Sequence, residues 1–372
     1  MCSLDLNKLA EPSFIERDAS AVTAEMVSQA ETMLGRTLYP AQPERVEIDM
    51  VAYREMLLRI GIQAAAKQNL LAYAAGAHLE HLAAFYNVLR LPAAAARATL
   101  QFALKTARPT AVAIPAGTRV QSKDGKYAFA TTSQAVLAAG ALSVEITALA
   151  TTAGIGANGY LPGEIANLVD SLDVDGVANT TTSYGGLAAE DDDRLRARAQ
   201  IATEAFSTCG PAGAYRFWAL SAHQGIVDVA VVSPEPGVVA VHPLMADGLP
   251  TSEVLAVVAA MLLDDTRRPL TDLVKTLPPV ARDYAIHVGI AVEAGYDAAA
   301  VVAAAKSALA AYVAGRSVRL GRDIVPAQVI SAAAVPGVHD VAVYSPGLLV
   351  LGPAEWAHCT GVTVDLTGVV DG

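Results

Sequence analysis

Residues 154–198 read GIGANGYLPGEIANLVDSLDVDGVANTTTSYGGLAAEDDDRLRAR, a glycine-punctuated segment that gives way to an acidic helix start. Glycines at 154, 156, 159, 163, 176, 185 and 186 mark tight turns, where a side chain would clash at positive φ. Glu190, Asp191, Asp192 and Asp193 stand where a helix N-terminus favours negative charge, and Arg194, Arg196 and Arg198 follow down the expected helix. A strand region therefore ends here and a helical module begins.

Upstream, between Thr99 and Thr182, alternating residues such as Val144, Ile146 and Ala148 are broken by Gly, Pro and Asn turns, which predicts a β-rich domain over 97–189. Before it, residues 20–34 read as a helix with Ser20 as N-cap and Gly35 as its stop, followed by a loop at Pro40 and Pro43. From Val46 the apolar residues Met50, Tyr53, Leu57, Ile60 and Ala64 recur at spacings of four and three, a helical seam that Lys67 interrupts. A second stripe, Leu79, Leu82, Tyr86 and Leu89, ends before Pro92, so residues 45–90 are expected to be long helical segments within an N-terminal helical region, 1–96. Two readings of the seam stand: a helix buried on its own domain, or one strip of a bundle shared with other subunits. Val46, Met50, Tyr53, Leu57 and Ile60 are the candidate interface residues.

Downstream the chain echoes itself. Gly225-Ile226-Val227-Asp228-Val229-Ala230-Val231-Val232-Ser233-Pro234 is matched by Gly337-Val338-His339-Asp340-Val341-Ala342-Val343-Tyr344-Ser345-Pro346, and Pro211-Ala212 and Pro326-Ala327 open the helical stretches before them. Two helix-helix-hairpin modules, 190–295 and 296–372 with a C-terminal tail, account for this, with Asp228 and Asp340 at equivalent positions. The expected fold class is α+β and multidomain: a helical N-terminal region, a central β-rich domain and two C-terminal α/β modules.

Composition narrows the functions. With 53% hydrophobic and 17% charged residues in 372, the chain is long enough to bury two or three cores. Its net charge of −11 disfavours a phosphate-binding surface, so nucleic acid is not an expected partner. Cys2, Cys209 and Cys359 are too few and too scattered for a disulfide framework or a thiolate metal site, and inert reduced thiols are expected. The apolar run Val254 to Leu263 is about half of what spans a bilayer, so no membrane insertion is expected. The first residues include Asp5, Glu11, Glu16 and Asp18 and no long apolar stretch, which predicts no leader and synthesis in a bacterial cytoplasm.

Four patterns invite a chemical reading. Gly154-Ile155-Gly156-Ala157-Asn158-Gly159 spells the dinucleotide fingerprint, but Tyr160-Leu161-Pro162-Gly163 is a turn where the pyrophosphate needs a helix N-terminus. Ser171, Asp173, Asp175 and Gly176, with Asp170 ahead of them, fit the start of a calcium loop; its twelfth position is Thr182 and not the bidentate Glu, so a turn with solvated carboxylates is expected. His78 and His81, three apart with Glu80 between them, could approach one metal, but no other Cys or His is spaced to complete a zinc set. Glu190 to Asp193 is the densest acid group and is read as a helix cap and a solvated face. With no G-x-S-x-G elbow and no P-loop lysine, no catalytic, cofactor-binding or metal residue is expected.

The order of these elements resembles the baseplate J-like family of contractile tails and related injection machines. The likeness rests on the glycine-rich β segment, Asn179, Gly185-Gly186, the acids Glu190 to Asp193 and the arginines Arg194 to Arg198. Ile114-Pro115-Ala116-Gly117-Thr118 with Tyr127-Ala128-Phe129 upstream, and Arg268-Pro269-Leu270-Thr271-Asp272 and Leu320-Gly321-Arg322-Asp323-Ile324 downstream, extend it over roughly residues 97–350. The resemblance implies a structural wedge subunit of a phage tail or tailocin baseplate. Its N-terminal helices would bundle with a second copy and a smaller wedge protein, and its C-terminal modules would pair copies around a ring. Contacts would then rearrange to release sheath contraction, with sheath, tube and spike or hub proteins as indirect partners. An extracellular adhesin or surface-binding β protein is the alternative.

Overall fold

The computed structural model describes residues 6–207, 210–264 and 267–371; Cys2 and Cys209 lie outside the described residues. The chain divides into two units, 1–90 with 191–203, and 91–190 with 204–372.

The first unit is helical: α1 (Ala19–Leu34), α2 (Pro43–Lys67) and α3 (Gly76–Phe85), joined by α4 from beyond the β domain (Asp192–Ile201). Asp18, not Ser20, caps α1; its carboxylate accepts from the Ser20 and Ala21 N–H groups, and Gly35 ends the helix in the left-handed region at φ 65°. Pro43 starts α2 at a position where the missing N–H costs nothing.

The acidic run does more than cap. Asp191 accepts from Arg194 N, as an N-cap should, but Asp192 accepts from Gly76 N at 2.9 Å and from Arg90 at 2.6 Å. Arg196 donates to the Leu71 and Ala74 carbonyls and Arg198, nearly buried, to that of Leu89. These bonds tie α4 to the N-terminal helices. The arginines of α4 are spent on carbonyls in the turns that flank α3, which groups α4 with the N-terminal helices and not with the module expected over 190–295.

The second unit begins with the β domain: β1 (Arg97–Ala103), β2 (Val112–Ile114), β3 (Arg119–Ser122), β4 (Ala128–Thr131), β5 (Ala135–Leu137), β6 (Ser143–Ala150), β7 (Ile165–Leu168) and β8 (Gly176–Asn179). Six of them form a sheet in the order β7-β3-β4-β6-β1-β8, and β2 pairs with β5. Strand alternation places Leu100, Phe102, Val120, Phe129, Ile146 and Ile165 in one core. The sheet curls into a near-barrel whose end strands β7 and β8 meet at Asn179: Gly163 N donates to its carbonyl and Ile165 N to its Oδ1, at 2.9 and 2.8 Å.

Next come α5 (Ala212–Ala222), β9 (Ile226–Val232), β10 (Val238–Met245), α6 (Ser252–Leu262) and β11 (Leu273–Thr276), with sheet order β11-β10-β9. Last are β12 (Val280–Glu293), α7 (Ala298–Ser317), α8 (Pro326–Ala333), β13 (Val338–Ser345) and β14 (Glu355–Val370), with sheet order β13-β12-β14. The helix of Ala298–Ser317 is long and apolar enough by composition to cross a bilayer. In this fold it seats Val301, Ala305 and Leu309 in the core against Ile286, Val288 and Ile290 of β12.

Two details of the expected modules are corrected. In the first, β9 and β10 are hydrogen-bonded neighbours, as a hairpin requires. In the second, β12 lies between the corresponding strands, antiparallel to β13 and parallel to β14, so the hairpin is split. The expected division at 295/296 fails for the same reason, since β12 is the central strand of the sheet that follows it. Asp228 and Asp340 are each third in their strands, but Asp228 is 9% exposed while Asp340 faces solvent. Asp228 accepts from Arg216, and its other oxygen accepts from the Leu320 N–H at 2.9 Å, joining the first module to the second.

Candidate functional site

On α2 the residues that its own unit covers include Ile48, Ala52, Met56, Arg59 and Gln63, themselves spaced four, four, three and four. The Gln63 amide clamps the N-terminal segment, with Phe14 N donating to Oε1 at 2.9 Å and Nε2 donating to Pro12 O at 2.7 Å. The predicted seam runs along a different strip. Val46, Met50, Tyr53, Leu57 and Ile60 are all exposed, Met50 at 64% and Leu57 at 48%. Val51, Leu58 and Ile62 are exposed as well, which the single-stripe reading missed. The signal was present: the stretch carries more apolar residues than one helical face can hold. A groove of about 390 Å³ between α1 and α2, lined by Met26, Met33, Ile48 and Val51 among others, adjoins the exposed strip at Val51.

The glycine fingerprint is a clamp. Gly156 passes against Tyr127, whose hydroxyl occupies the place a Cβ would need, and Gly186 lies against the Gly154 carbonyl. Asn158 Nδ2 donates to Gly186 O and Gly186 N donates to Asn158 Oδ1, both at 2.8 Å, so the motif is consumed in joining two loops of the barrel. Beside it lies an open polar depression of about 410 Å³ lined by Lys123, Asp124, Gly156, Asn158, Gly159, Tyr160 and Glu164. Its carboxylate is engaged internally: the Ser122 hydroxyl, then the Lys126 N–H, hold the Asp124 carboxyl below its usual range, and the Tyr160 hydroxyl donates to it at 3.0 Å. Burial pushes the Tyr160 phenol up.

Of the calcium-loop acids, Asp173 and Asp175 are exposed, as a turn with solvated carboxylates requires, and each of the three has its own partner. Asp170 is held below its ordinary value by Arg119, Asp173 pairs with Arg108, and Asp175 accepts from Lys105 N. His78 and His81 are exposed on α3, and Glu80 pairs with Arg90. Among the described residues no group of three or more His, Cys, Asp or Glu side chains could hold a metal ion. Cys359 is a half-buried free thiol.

The two downstream signposts hold turns. Asp272 accepts from the buried Tyr215 hydroxyl at 2.7 Å, and burial, then this carboxylate, push the phenol well above its ordinary value. Gly321, at φ 61°, donates its N–H to Glu355 O, and Asp323 accepts from Leu351 N.

The described residues thus form a helical unit with an exposed apolar strip and a second unit made of a near-barrel and two small α/β sheets. The sequence matches the family models of the baseplate J-like N-terminal domain over residues 46–97, barrel domain over 99–186, central domain over 207–278 and C-terminal domain over 284–365. The chain belongs to the baseplate J-like family. Among curated proteins, baseplate protein J of Escherichia phage P2 is 32% identical over 185 residues, which cover 49% of this chain and 61% of that protein. The match thus spans about three-fifths of the relative's length. A cryo-EM structure of the anti-feeding prophage baseplate aligns over 91% of this chain and 90% of its own at 12% identity and a TM-score of 0.49, too loose a likeness to argue from.

Proposed function

We propose that this protein is a structural subunit of the baseplate wedge of a contractile injection machine, a phage tail or tailocin. The exposed apolar strip Val46, Met50, Tyr53, Leu57 and Ile60 carries the reading. An isolated helix gains nothing by showing water that many large apolar side chains, and a bundle with a second copy and a smaller wedge protein would cover them. Membership of the family and the kinship with baseplate protein J support a role in a tail baseplate, reached by assembly in the bacterial cytoplasm. The C-terminal modules would pair copies around a ring, and rearrangement of these contacts would release sheath contraction. Such interfaces must assemble firmly and still have two packings close in free energy. No catalytic step is assigned, and neither cofactor nor metal is required.

The substitution Leu57→Glu tests it. Leu57 is about half exposed in its own unit, so the isolated chain should lose roughly 1 kcal/mol or less of stability. In a closed bundle the same carboxylate is buried without a partner, at about 3–5 kcal/mol, or a loss of affinity of roughly 10²- to 4 × 10³-fold. Thermal melts of the purified chain are compared with co-purification of the other baseplate proteins of the same tail. Unchanged co-purification would place Leu57 in solvent in the assembly, and an unfolded isolated chain would make α2 a core helix; either result defeats the proposal.

A further inference from the structure

β14 is an edge strand. β12 pairs with one side of it over its full length. On the other side Trp356 meets Leu320 and Glu355 O accepts from Gly321 N, and beyond them no described strand pairs. Edges of this kind are ordinarily blunted by Lys, Pro, covering loops or shortness. Residues 357–370, AHCTGVTVDLTGVV, hold no Lys, Arg or Pro and are rich in β-branched residues. The other edges of the two small α/β sheets are shorter: β11 has four residues, one of them Lys275, and β13 has eight.

The register against β12 shifts near Thr360 and Thr367, and between these points Gly361–Leu366 run one to one with Ala285–Ile290. Val362, Val364 and Leu366 oppose Ile286, Val288 and Ile290, whose side chains are buried beneath the helices, so they share the helix-covered face. Coverage fades along the strand: Val362 and Val364 are half-buried, while Leu366 is 48% exposed. Thr363 and Asp365 lie on the open face, where Asp365 Oδ2 meets His287 Nε2 at 2.7 Å.

We propose that a second copy of this chain adds its own β14 antiparallel to this edge, about a two-fold axis at Val364, joining two three-stranded sheets into one of six strands. The faces select the register. An axis between two residues would set helix-side residues opposite open-face ones. An axis at Asp365 would set two carboxylates against each other, and one at Thr363 would leave Leu366 opposite the shifted Thr360. The axis at Val364 sets Val364 against its copy, Val362 against Leu366, and the Thr363 hydroxyl against Asp365. Apolar meets apolar, a donor meets the carboxylate, and Leu366 gains the cover it lacks. A two-fold pairing also closes at β14, since each copy spends this edge on the other. The inference rests on the baseplate reading, for it names the strand by which C-terminal modules would pair copies.

Sedimentation and oxidative cross-linking of the full chain test it. The parent chain is expected to sediment as a dimer, and Leu366→Lys to weaken that dimer at least about tenfold with an unchanged melt, since the side chain is half in water. Val364→Cys is expected to link to its own copy, because opposed Cβ atoms lie about 4.5–5.5 Å apart. Val362→Cys alone should not link, its two copies being about four residues, or ~13 Å, out of register. A mixture of Val362→Cys chains with Leu366→Cys chains should link. A monomer at high concentration, a dimer indifferent to Leu366→Lys, or linkage without this pattern overturns the edge pairing. The two ideas fail separately: co-purification through α2 with no β14 dimer refutes only this inference, and a β14 dimer whose Leu57→Glu variant keeps its partners refutes only the bundle.

Discussion

Asp228 and Asp340 occupy the same place in a repeated sequence and should respond unequally to the same substitution. Asp228 accepts from Arg216 Nη2, Val229 N and Leu320 N, with the last two bonds buried and 2.9 Å long. The Arg216 side chain is 43% exposed, so solvent replaces much of that ion pair, and its loss costs under about 1 kcal/mol. The Leu320 N–H has no such recourse, and orphaning it costs about 1–3 kcal/mol. Asp228→Ala should therefore destabilise the joined modules by about 2–3 kcal/mol. Asp228→Asn should not fully rescue, because its amide nitrogen must confront one of the donors. Asp340→Ala, in solvent, should stay within about 0.5 kcal/mol. Because the chain has several cores, one global midpoint would mislead, and amide exchange at Leu320 is the better readout. A loss of 2 kcal/mol in local protection speeds that exchange by roughly thirtyfold. If the alanine variants at 228 and 340 are indistinguishable at that amide, the Asp228 bridge does not hold the two modules together.

Other outcomes follow from particular contacts. Hydrogen bonds from Gly76 N–H and Arg90 hold the Asp192 carboxyl below its ordinary value, so its stabilisation is full above the unfolded-state value of about 3.9 and is lost as pH falls through the lower folded value. Circular dichroism melts of the chain should show that acid loss, and Asp192→Ala should diminish it; a variant with an unaltered acid profile would deny the α3–α4 tie. Asn158→Ala removes both bonds to Gly186 and should cost about 1–2 kcal/mol in urea titrations of the β domain, with the fingerprint glycines unable to compensate. Purified protein should carry no stoichiometric zinc by elemental analysis and bind no nucleotide at micromolar concentration by calorimetry, since His78 and His81 stand in solvent and the fingerprint is occupied by its own clamp.

The parts of this molecule that were legible in its sequence are those decided over a few residues. Period-two alternation at Val144, Ile146 and Ala148 marked β6, whose burial alternates along the strand. Gly35 stopped α1, and the acids before Arg194 capped α4. Even here a local rival won once: Asp18 and Ser20 are both good caps, and the carboxylate two residues earlier took the free N–H groups. What was not legible depends on partners distant in the chain. Nothing in the run Gly337 to Pro346 tells that β12, fifty residues earlier, will insert between β13 and β14, whereas the near-identical run from Gly225 keeps its neighbour.

That difference bears on function. By taking the central place, β12 pushes β14 to the edge, where a sequence suited to a buried strand meets water, while the corresponding β10 is central and covered on both faces. The α2 strip has the same origin, since its periodicity was plain but which of two apolar strips the N-terminal unit would cover was settled by Gln63 and the segment it clamps. A sequence that serves two rounds of burial, one within the chain and the proposed one between chains, looks the same at every apolar position. Only the fold separates those already covered from those left in water, and it is among the second that the proposed interfaces fall.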